Sequence, residues 1–225
     1  MRLRCIDFES TGLLATDKLC EIGSADLCDG EVSYPVSRLV NPGVLIPPEL
    51  SAVHHIIDTD VVGAQPWEVV LPLFTDDAVD AYAAHNRQFE AMWFTDEIRK
   101  GKPLICTYRC ALRIWTNSPS YSNQTLRYWL KLDCDRSIAR DVHRAGPDAY
   151  VTAFLLREEL KHASVKQLIE WSNQPALLPR VTFGKYRGKA WTEVERSYLE
   201  WIVKQPDMNE DVKFTAKHHL GGAAS

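Results

Sequence analysis

The sequence lacks the features that mark several large classes of protein. It contains no apolar run approaching the roughly 20 residues of a membrane span, and its first residues do not form a secretory signal. Its six cysteines are scattered, and Cys106 and Cys110, four residues apart, have no second Cys or His pair at zinc-site spacing. We therefore expect reduced, mostly buried thiols in a cytoplasmic protein without membrane attachment.

An excess of positive charge is also missing. The chain has 26 basic and 30 acidic side chains, a formal net charge of -4, which excludes a nucleic-acid reader that depends on bulk positive charge. Binding DNA or RNA would require a local basic patch, or metal ions that offset acidic residues. A composition of 45% hydrophobic and 25% charged residues is typical of globular proteins, and 225 residues suit one large domain with a small appendage.

The hydrophobic pattern predicts an α/β fold. Residues 2–9, 19–28 and 31–40 are predicted as antiparallel strands, with a hairpin turn at Asp29 and Gly30. From residue 50 onward helical segments alternate with short apolar strands, which favours a mixed sheet covered by helices. The later strands are predicted at 81–84 and 104–106, and the helices at 50–56, 67–74, 87–99, 108–115, 122–132 and 147–162.

Two acidic residues lie two apart on the first predicted strand. Asp7 and Glu9 project from the same face, where adjacent carboxylates repel each other unless a cation lies between them. A solvent-facing edge strand would also tolerate two acids, but Cys5, Ile6 and Phe8 make this strand apolar on both faces. The pattern favours a site for magnesium or manganese, which prefer hard oxygen ligands.

A second polar cluster precedes the long helix near residue 150. Gly146 breaks the chain, Pro147 suits a first helical position, and Asp148 then falls in the first turn. This is also what a well-formed helix start requires, and a histidine before a helix is commonly a surface residue. However, His143 can lie beside the Asp148 carboxylate, which favours chemistry when combined with the Asp-x-Glu pair.

A strand-to-helix junction lies between these clusters, with Ala84-His85-Asn86 leading to Phe89 and Glu90. The three pieces, in this order, closely resemble the motifs of the DnaQ-like, DEDDh-type 3′-to-5′ exonucleases over residues 1 to about 162. The segments 183–189 and 198–201 also resemble the carboxy-terminal part of the exodeoxyribonuclease X subgroup. We identify the chain as a member of this family.

The resemblance implies a ribonuclease H-like mixed sheet and hydrolysis of DNA from 3′ ends to nucleoside 5′-monophosphates. It implies that Asp7, Glu9, Glu90 and Asp148 bind two Mg²⁺ or Mn²⁺ ions and that His143 is the general base, so that the rate rises from mildly acidic to alkaline pH. The family usually has Asp where this chain has Glu90. The longer side chain moves the carboxylate by about 1.5 Å, so we expect activity to be retained, with a reduced rate or a shift toward manganese.

The resemblance also places the terminal nucleotide against the turn after the first motif. The residues expected to contact it are Thr11, Gly12, Leu13, His54, Asn86 and Phe89. Gly12 would allow close approach of the backbone. For Leu13 a place in the core is an equal alternative, and His54 is equally consistent with a histidine that caps a short helix.

A basic and aromatic segment follows a predicted linker at residues 173–175. Lys185, Arg187 and Lys189 alternate with Phe183 and Tyr186, a combination that can grip phosphates and stack on bases. A solvated turn is the alternative. We predict a catalytic domain at 1–172 and an appendage at 173–225, of which residues 221–225 are expected to fray.

Two other functions remain open from the sequence. The same three motifs serve 3′-to-5′ exoribonucleases, and no residue here recognises the 2′-hydroxyl unambiguously. The change to Glu90 also allows a nucleic-acid-binding module with impaired catalysis. The sequence does not determine the oligomeric state.

Overall fold

A central mixed sheet organises the first 172 residues of the computed structural model, which describes residues 1–221. The strands lie in the order β3-β2-β1-β5-β6, and β4 pairs with the same edge of β2 as β3 does. Their bounds are β1 Arg2–Ser10, β2 Leu19–Cys28, β3 Glu31–Val32, β4 Val36–Leu39, β5 Ala81–Ala84 and β6 Leu104–Cys106. The first strands are antiparallel, whereas β5 and β6 run parallel to β1. The predicted fold class is confirmed.

Helices cover the sheet, three of them before β5 and the others after β6 in the chain. They are α1 Pro48–His54, α2 Asp58–Val61, α3 Trp67–Val70, α4 Thr107–Ile114, α5 Asn123–Trp129, α6 Arg136–Ala139, α7 Ala145–Glu159, α8 Val165–Ser172, α9 Arg196–Lys204 and α10 Glu210–Gly221. The predicted hairpin turn is confirmed, with Asp29 and Gly30 at φ 49° and 92°. Positive φ at both central residues matches the twist of the strands.

The alternation of β1 separates two apolar layers. Leu3 and Cys5 face the core formed with α7, whereas Ile6 and Phe8 face an aromatic core that includes Trp93. Since side chains alternate along a strand, Asp7 and Glu9 continue the α7 face. The acidic pair therefore lies where the long helix approaches the central strand, as the alternation predicts.

Two predicted elements are wrong in detail. The predicted strand 31–40 is two strands, because Pro35 has no N–H to donate to a ladder. The predicted helix 87–99 is a set of turns containing the 3-10 turn Glu90–Met92. There the Phe94 carbonyl accepts from the Arg99 guanidinium, and the Ile98 N–H bonds the Thr95 hydroxyl at 3.4 Å. Side-chain bonds of this kind compete with the helical ladder.

The long helix begins earlier than predicted. It starts at Ala145, so Pro147 occupies its third position and Asp148 its fourth. Proline is tolerated there because the first four N–H groups of a helix have no partner within it. Asp148 remains in the first turn, as predicted.

The carboxy-terminal segment has its own apolar cluster. It consists of Val181, Trp191, Val194, Leu199, Ile202, Val212 and Ala216. The predicted boundary at 172/173 coincides with the end of α8, but the division into two domains stays a prediction. Gly221 ends α10 rather than fraying, and residues 222–225 lie outside the described residues.

The sequence predicts free, mostly buried cysteines and no membrane-spanning segment. All six cysteines are free, and five of them are buried. Within residues 1–221, none of the helices combines the length and the apolar character of a membrane span.

One buried carboxyl group generates a stability prediction. Glu159 is fully buried at the end of α7, neither of its carboxylate oxygens has a partner among residues 1–221, and burial raises its pKa well above the usual value. The folded state therefore keeps the proton while the unfolded chain releases it, so stability falls as pH rises above the unfolded pKa. We expect Glu159→Gln to raise the Tm at pH 8 by at least about 2–4 °C.

The gain should shrink toward pH 4, where both states hold the proton. Thermal unfolding of parent and variant across this range, followed by circular dichroism, provides the measurement. A constant difference between the two proteins at all pH values would contradict a neutral Glu159 in the folded state.

Candidate active site

Three carboxylates from distant parts of the chain converge beside β1. One oxygen from each of Asp7, Glu9 and Asp148 can be chosen so that all three lie within 4.8 Å of one another. Asp7 and Glu9 share a face of β1, and α7 brings Asp148 over that face. Hard oxygen ligands at this separation fit a divalent cation such as magnesium or manganese.

Glu90 adds a fourth carboxylate to the same cavity. Its side chain is 3% exposed, and its Oε2 atom has no hydrogen-bond partner among residues 1–221. Burying an unpaired charge is costly unless a cation or a proton neutralises it. This unpartnered oxygen could therefore bind a cation.

Burial and mutual repulsion raise the pKa values of the clustered acids. Burial, followed by the charges of Asp148 and Glu21, raises the pKa of Glu9 to about 8. Burial raises the pKa of Glu90 to about 8, with a smaller contribution from Glu9. For Asp7, burial and then the charge of Asp148 raise the pKa well above its usual value. A bound divalent cation would reverse these shifts.

Two donors orient the Asp148 carboxylate. Gln124 Nε2 donates to Oδ1 at 3.2 Å, and the backbone N–H of His143 donates to Oδ2 at 2.7 Å. These bonds favour the charged form and oppose the rise in the Asp148 pKa that burial produces. His143 has φ 58°, and its exposed imidazole faces the same cavity.

An ion pair between the buried Glu21 and the partly exposed Arg144 fixes the start of α7 to the sheet. Glu21 lies opposite Glu9 in the β1–β2 register, and both its oxygens accept from the Arg144 guanidinium, at 2.7 and 2.9 Å. The Ala145 N–H donates to it as well, at 3.0 Å. Burial alone would raise the Glu21 pKa, but these donors lower it, so Glu21 stays ionised. Glu21 thus holds the loop that carries His143.

The four carboxylates and His143 line one open cavity of about 510 Å³. The other predicted residues found in its wall are Leu13, His54, Asn86 and Phe89. Leu13 is 75% exposed, so the alternative of a place in the core is wrong. Asn86 has φ 64°, a left-handed conformation that asparagine tolerates, and it turns the chain from β5 into the segment of Glu90.

Thr11 and Gly12 lie in the loop after β1 and are outside the cavity wall. The Thr11 hydroxyl accepts from the Lys18 N–H at 3.0 Å, which closes the loop on itself. A Cβ atom on Gly12 would lie 2.2 Å from Asp17 Oδ2, so glycine is required for the Asp17 side chain to pack there. The loop in this way presents Leu13 at its tip.

His54 lines the cavity but is held by the protein. Its Nδ1 accepts from the Ile56 N–H at 3.1 Å, and its Nε2 lies 3.9 Å from Cys20 Sγ. The side chain is only 1% exposed, and burial lowers its pKa. These contacts favour the alternative in which His54 caps α1, and its contact with a substrate stays a prediction.

Lys185, Arg187 and Lys189 are exposed and do not line the cavity. Glu21 and Gln124 are supporting residues that the sequence interpretation did not identify. The sequence does contain a signal for Glu21, because an acidic residue on a mostly apolar strand is unusual, as it is for Asp7. For Gln124 the sequence offers no signal, because its contact depends on how α5 packs against α7.

Comparisons with known proteins agree with this geometry. The exonuclease family model RNase_T matches residues 5–156, so the chain belongs to this exonuclease family. It is 34% identical over 225 residues to Exodeoxyribonuclease 10 of Escherichia coli (strain K12), covering 97% of this chain and 98% of the relative. The family resemblance drawn from the three motifs is confirmed.

Solved structures extend the comparison to the fold. The structure of Exonuclease X in complex with 5′ overhanging duplex DNA is 30% identical, with a TM-score of 0.63 over 76% of this chain and 99% of that one. A structure of Exonuclease I has a TM-score of 0.58 at 14% identity, covering 76% of this chain and 42% of that one, and shares the fold. The ribonuclease H-like architecture is therefore confirmed.

Gly23 provides a test of how α7 is positioned. A Cβ atom there would lie 2.1 Å from the Ala145 carbonyl carbon, inside the first turn of α7. We expect Gly23→Ala to lower the free energy of unfolding by about 1–3 kcal/mol and to reduce exonuclease activity, because the helix carrying Asp148 must shift.

Gly63→Ala is the matched control, since a Cβ atom there would meet nothing within 4 Å. Its unfolding free energy in urea should stay within about 0.5 kcal/mol of the parent. Equal effects of the two substitutions would show that the contact between β2 and α7 does not matter.

Proposed function

We propose that this protein is a metal-dependent 3′-to-5′ exodeoxyribonuclease that releases nucleoside 5′-monophosphates. The observation that carries the proposal is the convergence of Asp7, Glu9 and Asp148 in an open cavity that also contains Glu90 and His143. Membership of the exonuclease family and the match to Exodeoxyribonuclease 10 along nearly its full length support it. The solved Exonuclease X complex contains duplex DNA, which supports DNA as the polymer.

Asp7, Glu9, Glu90 and Asp148 would hold two divalent ions, Mg²⁺ or Mn²⁺. The fit depends on chemistry that these residues display: four oxygen-donor side chains, raised pKa values and an unpartnered Glu90 oxygen. When bound, such ions would supply charge stabilisation for the attacking and leaving oxygens of the displacement. The protein positions the carboxylates on rigid elements, β1 and α7, while Glu90 lies on a turn.

His143 would accept the proton from the attacking water. Its backbone is held by the bond from its N–H to Asp148, and Arg144, the next residue, is held by Glu21. The exposed imidazole faces the cavity without a hydrogen-bond partner among the described residues, so it is available to a water molecule. A histidine suits proton transfer at neutral pH.

The terminal nucleotide would lie between the loop after β1 and the turn after β5. Leu13 is exposed in the cavity wall, and Phe89, packed on Trp93 at a centroid distance of 5.0 Å, lines the same cavity. An apolar side chain and an aromatic ring suit the two faces of a base. Thr11 and Gly12 would act by shaping the loop, and Asn86 by its polar group at the cavity wall.

The first test removes a carboxylate from the cluster. We expect Asp7→Asn to abolish Mg²⁺-dependent and Mn²⁺-dependent shortening of a 5′-labelled single-stranded oligonucleotide, because the cluster loses a ligand at its centre. In EDTA at pH 8 the variant should unfold about 2 °C or more above the parent, since one buried acid with a raised pKa has been removed.

The rise in Tm that Mn²⁺ produces in the parent should also disappear in Asp7→Asn. Asp133→Asn, which changes an exposed acid outside the cavity, should behave like the parent in all three measurements. Digestion by Asp7→Asn at the parental rate would exclude the proposed site. A parent without cleavage under either metal would favour the impaired binding module.

The second test addresses the general base. We expect His143→Ala to lower kcat by about 10²–10⁴ while the Tm rise with Mn²⁺ is retained, because the carboxylates are intact. The increase in rate from mildly acidic to alkaline pH should flatten. His162→Ala, an exposed histidine outside the cavity, is the control. An unchanged pH profile in His143→Ala would remove this residue from the role.

A further inference from the structure

A row of aromatic rings lies on the surface of the carboxy-terminal segment. Tyr198 lies at its centre and stacks on Trp201 at a centroid distance of 5.2 Å and an interplanar angle of 28°. Phe183 also stacks on Tyr198, at 6.5 Å and 29°. Tyr186 joins the row 5.0 Å from Tyr198. Trp201 is 46% exposed, so its ring is accessible from solvent.

Lys185 borders this aromatic row, and two more exposed cations follow it in the chain. Lys185 Nζ lies 4.8 Å from the Tyr186 centroid and 5.5 Å from the Tyr198 centroid. Arg187 and Lys189 are exposed and form no ion pair with any residue in 1–221. The contact of Lys185 with Glu195, at 3.5 Å between two largely exposed groups, is weak enough to exchange for a phosphate.

The acids nearby are engaged with other groups. Glu193 accepts from the Ala190 N–H at 2.8 Å, and Glu200 pairs with Arg196 at 3.1 Å. Residues 173–225 contain eight basic and six acidic side chains, whereas residues 1–172 contain 18 and 24. The excess of positive charge in an otherwise acidic protein is thus confined to the segment that carries the aromatic row.

The arrangement of the row depends on a conformation that only glycine adopts easily. Gly184 has φ 62°, and a Cβ atom there would lie 2.4 Å from the Tyr198 hydroxyl. The opposite face of α9 buries Leu199 and Ile202 in the local core. Phe183, Tyr186 and Tyr198 are half-buried against the same core, which holds their rings in place, and Trp201 is the exposed ring of the row. Rings held in this way lose less entropy when a base stacks on them.

The segment also packs against α4. Arg113 donates to the Gln174 side chain at 2.9 Å, and Arg180, at the base of the same hairpin, lines a cleft together with Arg113 and Thr116. The hairpin therefore lies against residues of the part of the chain that carries the acidic cluster.

We propose that Lys185, Arg187 and Lys189, with the aromatic row of Phe183, Tyr186, Tyr198 and Trp201, bind a single-stranded segment of the DNA substrate away from its 3′ end. This inference rests on the proposed nuclease function, because it assigns the substrate of that site a second contact. Bases stack on exposed rings and phosphates pair with bordering cations, which is how proteins bind single strands without sequence preference. An acidic protein segment would use the cations but leave the rings without a partner.

Binding in the absence of metal separates this surface from catalysis. We would measure, in EDTA with the full chain, the fluorescence anisotropy of a labelled oligothymidylate of about 20 nucleotides, longer than a typical single-strand site. We expect R187Q/K189Q to weaken binding and to lower the slope of log affinity against log salt concentration by about 1.4, since each phosphate contact contributes about 0.7. Trp201→Ala should weaken binding about fivefold or more and leave this slope unchanged.

The control R136Q/K166Q removes two exposed cations from the first turns of α6 and α8 and should bind like the parent. Hydrolysis of thymidine 5′-monophosphate p-nitrophenyl ester, too small to reach the surface, should be unchanged in the three variants. Parental binding by R187Q/K189Q and Trp201→Ala would overturn the inference while ester hydrolysis still supports the nuclease. A competition experiment with an oligoglutamate of equal charge tests for an acidic protein partner. If the oligoglutamate displaces the oligonucleotide equally well from the parent and from Trp201→Ala, the inference is overturned in favour of such a partner.

Discussion

Repulsion among four carboxylates is the constraint on which the rest of the structure depends. Asp7, Glu9, Glu90 and Asp148 are brought into one cavity although burial raises the pKa of each, and neighbouring charges raise it further for Asp7, Glu9 and Glu90. The unfolded chain separates these groups, so their convergence opposes folding at neutral pH when no cation is present. Apolar burial on both faces of β1 has to overcome that opposition.

The protein meets this constraint by fixing the acids through their neighbours. Glu21 lies beside Glu9 and would add to the repulsion, but Arg144 neutralises it and so converts a fifth acid into an anchor for α7. The same contact holds the loop of His143, and Gln124 together with the His143 N–H orients Asp148. The residues that stabilise the fold are thus adjacent to those proposed to act in catalysis. A substitution at Glu21 or Gly23 should therefore affect both stability and activity.

Much of the site could be predicted because its motifs are local. The spacing of Asp7 and Glu9 on a strand determines that they share a face, and Pro147 with Asp148 indicates a helix start. The helix predicted at 87–99 was wrong because the bonds that replace it depend on side chains such as Arg99. Gln124 could not be found from the sequence, since nothing in its own segment indicates that α5 approaches Asp148. Local patterns determine elements, whereas supporting contacts depend on tertiary packing.

A buried carboxylate oxygen without a hydrogen-bond partner has a different meaning in different surroundings. Glu159 and Glu90 both have oxygens without a partner among residues 1–221. Glu159 is surrounded by the apolar core and is raised in pKa by burial alone, so a proton is the simplest way to neutralise it. Glu90 lines an open cavity beside Glu9, where a cation can enter from solvent. Burial identifies both groups as unusual, but only the acidic cluster around Glu90 points to a ligand.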